Sequence, residues 1–87
     1  MSDESVMTFP CSFPIKLMGR ESSAFHQTVR ELVEKHTGPL ADDAVVSALS
    51  RKGTFVSVTV TVVAQSQEQL DDIYRELTSN EEVLMAL

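Results

Sequence analysis

Eighty-seven residues suffice for one hydrophobic core and not for two, so a single small domain is expected. The hydrophobic share of 43% and charged share of 23% are those of a globular chain, and no apolar run approaches the roughly 18 residues of a spanning helix. A net charge of −6 argues against non-specific binding to nucleic acid or anionic membrane, because both depend on lysine and arginine neutralising phosphates.

Residues 1–8 are polar, acidic and aperiodic, and are expected to form a flexible tail ahead of a domain spanning 9–87. The acidic start MSDESVMTFP does not read as a secretory leader, and a single cysteine, Cys11, fits a reducing cytoplasm. Phe9-Pro10 and Phe13-Pro14 push the backbone into extended conformations. Proline disfavours the interior of a central strand, so the first strand is expected from about Phe13 or Ile15 to Met18, with Gly19 ending it.

Ser22 or Ser23 then caps a helix in which Phe25, Val29, Leu32 and Val33 form one apolar stripe, with Glu31 and Lys35 as an i, i+4 pair. Gly38-Pro39 stops it. Residues 43–51 are expected as a weakly patterned edge strand, and Lys52-Gly53 as the tight reversal after it. From Phe55 to Ala64 the even positions Val56, Val58, Val60, Val62 and Ala64 alternate with Ser57, Thr59 and Thr61. One face is a valine stripe and the other carries hydroxyls, which predicts a sheet covered on a single side. Ser66 and Gln69 form a capping-box pattern for a second helix with Leu70, Ile73, Tyr74 and Leu77 inward; Asn80 ends it and Val83–Leu87 supply a closing strand.

This order, β-α-β-β-α-β, predicts an α+β ferredoxin-like sandwich: a four-stranded antiparallel sheet with two helices on one face. The first and third strands are central in that plan. If Ile15 and Leu17 face the helices, then Lys16, Ser57 and Thr59 meet in the middle of the uncovered face.

Chemistry is sparse. Cys11, His26 and His36 have no spacing that suggests a nucleophile beside an oriented base, and two surface histidines with a structural cysteine are expected. No metal-ligand spacing and no phosphate-binding glycine loop occur, so neither metal nor cofactor is expected. Arg51-Lys52-Gly53-Thr54-Phe55-Val56 is superficially like an RNA-recognition motif, but Ser57 and Thr59 stand where stacking aromatics belong, so no nucleic-acid partner is expected. Gly19 and Arg20 lead into the first helix, whose N-terminal amides suit an anion. From Ser66 onward six acids face one base, Arg75. Glu68–Asp72 and Asp72–Glu76 are like-charge i, i+4 pairs offset only by Asp71–Arg75, which tilts the second helix toward docking a basic partner.

The segments Phe9-Pro10, Phe13-Pro14-Ile15-Lys16-Leu17-Met18-Gly19, Ser50 to Thr59, Ile73-Tyr74-Arg75-Glu76-Leu77 and Val83-Leu84-Met85-Ala86-Leu87 resemble the YbeD-like proteins, short bacterial proteins of unknown function. Where that family commonly reads Lys-Gly-Asn-Tyr, this chain has Lys52-Gly53-Thr54-Phe55. The resemblance implies a ferredoxin-like fold similar to the ACT regulatory domain of phosphoglycerate dehydrogenase, a bacterial cytoplasmic setting, a connection to lipoate metabolism and no catalytic residues. The resulting expectation is a non-enzymatic regulatory or adaptor domain that binds a protein partner or small metabolite through Lys16, Ser57, Thr59 and Lys52, with no membrane partner. An ACT-like sensor of an amino acid or carboxylate at Gly19 and Arg20 is the alternative, and a homodimer through the open sheet face is a further expectation.

Overall fold

The computed structural model describes residues 8–87; apart from Thr8, the expected N-terminal tail lies outside them. The strand with the strongest alternation, β3 (Phe55–Ala64), begins and ends where the period-2 pattern does. Around it stand β1 (Cys11–Arg20), β2 (Val45–Leu49) and β4 (Val83–Ala86) in the order β2-β3-β1-β4, each neighbouring pair antiparallel. Two helices, α1 (Ser23–Thr37) and α2 (Gln67–Ser79), complete the β-α-β-β-α-β order. This is the α+β ferredoxin-like fold.

The core lies between the helices and one face of the sheet. Ile15 and Leu17 of β1 and Val56, Val58, Val60 and Val62 of β3 are buried against Phe25, Val29 and Val33 of α1 and Leu70, Ile73 and Leu77 of α2. Each such side chain contributes about 1.5–3 kcal/mol by leaving water. Both helices start on a serine: Ser22 Oγ accepts from the amide of Phe25 and Ser66 Oγ from that of Gln69. The capping box at Ser66 is one-sided, because Gln69 Oε1 accepts from the amide of Gln65 rather than that of Ser66. Its Nε2 meanwhile donates to the carbonyl of His36 at the end of α1, and this draws the amide group away from the box.

Both ends of β1 and of β2 differ from the sequence expectation: β1 starts at Cys11 and passes through Gly19 to Arg20. β1 runs straight through Pro14 although it is a central strand. The backbone of Lys16 exchanges hydrogen bonds with Leu87, so even-numbered residues of β1 aim their amides at β4. Pro14, two residues upstream, aims its missing N–H beyond the end of β4, where no ladder bond is lost. β2 is shorter than residues 43–51, because Asp42–Ala44 forms a 3₁₀ turn and Ser50 and Arg51 belong to the reversal. Gly53 has φ 73° in that reversal, a conformation that costs other residues energy. The amide of Gly53 donates to the Ser50 carbonyl, and Ser50 Oγ accepts from the amide of Phe55.

Candidate functional site

The uncovered face is built from the even positions of β1, the odd positions of β3 and residues of β2 and β4 that share their parity. Lys16 lies opposite Thr59, Met18 opposite Ser57 and Arg20 opposite Phe55, so the register sets Lys16, Ser57 and Thr59 on adjacent rungs. The Arg20 guanidinium sits over the Phe55 ring, 5.5 Å from its centre. Lys52 is exposed in the reversal before β3, at the same end of the sheet as Arg20, where the amide of Glu21 donates to the carbonyl of Thr54.

This face is not the plain hydroxyl stripe that β3 alone suggests. Met18, Phe55 and Val63 are exposed on it, Met85 stands opposite Met18, and Met18, Met85 and Leu87 line a small recess beside Lys16. The signal was present: Phe55 and Val63 share the parity of Thr59, and Met18 that of Lys16. Reading the terminal strand's contribution required the pairing of β4 with β1.

Charge is segregated by layer. The four strands contain no acidic residue, and their charged residues are Lys16 and Arg20. Among the described residues Arg30, Lys35 and Arg75, all helical, pair with Glu34, Glu76 and Asp72, whereas Lys16, Arg20, Arg51 and Lys52 form no ion pair. Strands and reversal therefore present uncompensated cations, and the helical layer holds most of the carboxylates.

The charges of α2 are arranged differently from the sequence expectation. Glu76 receives Lys35 Nζ at 2.7 Å and His36 Nε2 at 2.9 Å, both across the helix–helix contact. Lys35 thus leaves Glu31, which accepts from Gln27 Nε2 instead. His36, expected at the surface, has only 18% of its side chain exposed. Arg75 pairs with Asp72 rather than Asp71, and Asp71 accepts from Gln67 Nε2. Hydrogen bonding from Lys35, foremost, and from His36 holds the Glu76 carboxyl below its ordinary range despite some desolvation. Tyr74 donates its hydroxyl to the carbonyl of Leu87 at 2.8 Å, and burial raises its pKa.

At the other expected site, Gly19 is occupied with packing. A Cβ there would meet the ring of Phe25 and stand 2.7 Å from the carbonyl oxygen of Glu82. Arg20 lies at the margin of an open cleft of about 680 Å³ whose lining includes Ser22 and three carboxylates, those of Glu21, Glu81 and Glu82. Cys11 begins β1 opposite Ala64, while His26 is held by Glu21 at 2.8 Å and His36 by Glu76. No helix among the described residues is long and apolar enough to cross a membrane.

Comparison with known proteins gives one family. The family model described as "Protein of unknown function (DUF493)" matches residues 4–87. A UPF0250 protein of Chromobacterium violaceum is 45% identical with full coverage of both chains. One of Nitrosomonas europaea is 37% identical, also over the whole of both, and one of Neisseria gonorrhoeae is 42% identical over 95% of this chain and 91% of its own. The solution structure of protein HP0495 from H. pylori is similar in fold, with a TM-score of 0.76 at 17% identity, covering 99% of this chain and 90% of that one.

Proposed function

Because this chain belongs to the DUF493 family of small bacterial proteins of unknown function, the family its YbeD-like segments resemble, we propose a role read from its own geometry: a non-catalytic adaptor domain that binds an acidic protein segment on the uncovered sheet face. The observation that carries this reading is the segregation of charge. Lys16 and Arg20 lie on strands that hold no acidic side chain, next to the exposed Met18, Phe55 and Met85. A segment with carboxylates for the two cations and apolar side chains for the methionines and Phe55 is complementary to that face. Cations there speed encounter, and the apolar contacts prolong the complex. Nucleic acid is a poorer match, since among the described residues Phe55 is the one exposed ring on these strands on which a base could stack, and the Arg20 guanidinium lies over it.

The ACT-like sensor reading is weaker, because Gly19, the glycine of the expected ligand loop, is closed in by the Phe25 ring and the backbone carbonyl of Glu82. The connection to lipoate metabolism implied by the family resemblance indicates where a partner is best sought first.

The test is affinity capture from a bacterial lysate with three baits: wild type, Lys16→Glu/Arg20→Glu, and Glu68→Lys on α2 as a control. The expected result is a partner retained by wild type and the control and lost by the double reversal. Identical partner lists for all three baits would sink the proposal. A thermal-shift panel of amino acids and carboxylates separates the sensor reading, since a ligand at 100 times its dissociation constant stabilises by about 2.7 kcal/mol.

A further inference from the structure

β2 is an edge strand with an unprotected outer edge. Its five residues, Val45-Val46-Ser47-Ala48-Leu49, include neither proline nor a charge, the devices that usually keep sheet edges from pairing. Val46 and Leu49 are 62% and 61% exposed. The stretch of β1 that β4 leaves uncovered, by contrast, carries Pro14.

The direction of the free groups follows from the ladder. The amide of Ser50 donates to Phe55, so even-numbered residues of β2 bond to β3, and Val45, Ser47 and Leu49 turn their amides and carbonyls outward. An antiparallel neighbour centred on Ser47 would face these three residues with three of the same parity. Each facing pair would exchange two N–H···O bonds.

Charge selects the neighbour. Asp43 lies four residues before Ser47 and Arg51 four after it; Asp42 lies five before and Lys52 five after. All four are exposed and none has an ion-pair partner among the described residues. Two copies of β2 paired antiparallel about Ser47 therefore bring the acidic end of each, entered through Asp42 and Asp43, toward the basic end of the other, left through Arg51 and Lys52. Leu49 of each copy meets Val45 of the other on the helix side of the sheet, and Val46 meets Ala48 on the open side. Sliding the register by two residues keeps the bond pattern but separates the carboxylates from the cations.

We infer that this chain forms a two-fold symmetric dimer in which β2 pairs with β2 of a second copy, joining the two sheets into one of eight strands. Such an interface is isologous and closes on itself, which uses up the β2 edge of each copy and leaves β4 at the two ends of the joined sheet. Dimerisation through the open faces would instead bring Lys16 and Arg20 against cations of the same kind. The edge-paired dimer leaves both open faces accessible on the same side of the joined sheet.

Sedimentation velocity tests this. Wild type is expected to shift from 9.6 kDa to twice that mass as its concentration rises toward about 1 mM. Ser47→Pro removes an outward amide without touching the β2–β3 ladder, so it should remain a folded monomer throughout. Asp43→Arg should weaken association by roughly tenfold, and adding Arg51→Asp should restore it. A wild type that stays monomeric, or a folded Ser47→Pro variant that still dimerises, overturns the inference. If Ser47→Pro does not fold, the charge swap decides: failure of Arg51→Asp to rescue Asp43→Arg overturns it as well.

Discussion

The ring of Phe25 occupies the space that a Cβ on Gly19 would need. The contact locks the first turn of α1 against the end of β1, at a point where the β1–β4 register slips between Met18 and Gly19. A glycine that in sequence resembles the opening of an anion-binding loop is therefore required by the packing of a helix on a strand.

Gly19→Ala is accordingly expected to destabilise the domain by about 1–3 kcal/mol, the usual range for overpacking a filled core. The Phe25 ring is itself buried, and the Glu82 oxygen at 2.7 Å belongs to the backbone, so neither yields cheaply. Urea unfolding followed by circular dichroism measures this. A variant as stable as wild type would show that β4 moves freely away from β1.

Gln69 ties the start of α2 to the end of α1, donating to the His36 carbonyl at 2.8 Å and accepting from the Gln65 amide at 2.6 Å. Gln69→Ala is expected to cost about 1–2 kcal/mol, because both groups lose a partner in a partly buried setting. Gln69→Glu keeps the acceptor but loses the donor, and should fall between the two. Equal stability of all three proteins in urea melts would contradict the assignment.

Glu76 sets the pH dependence of the helix–helix contact. Its folded pKa is lowered, chiefly by the hydrogen bond from Lys35, so its stabilising contribution is present above the ordinary carboxylate value of 4.5 and is lost as pH falls through the lower folded value. Glu76→Gln should therefore be less stable than wild type at neutral pH, and the difference should shrink as the solution is made acidic. Added salt should also narrow it at neutral pH, because the pair is partly exposed. Chemical melts at several pH values provide the check; a difference that stays constant into acid would refute the role given to this carboxylate.

Most of the fold was legible in local pattern. The alternation of β3 identified its ends, its buried face and, through the parity of Ile15 and Leu17, the orientation of β1. Ser22 and Ser66 announced both helix starts. Of the candidate site, the meeting of Lys16, Ser57 and Thr59 followed from the same parity, whereas its apolar flank did not, because Met85 and Leu87 come from a strand whose partner is distant in sequence.

The sequence by itself determined the element order and which side of each strand is wet, since a two-residue period and a capping serine act over a few residues. The tertiary structure decided what those elements do to one another. Pro14 is admitted to a central strand because β4 ends before reaching it. Lys35 and His36 pair with Glu76 because packing α1 on α2 brings residues 40 positions apart within 2.9 Å at His36 and Glu76. Gly19 is required by a ring from the next element. These are distances across the chain, set by how layers stack, and no local pattern encodes them.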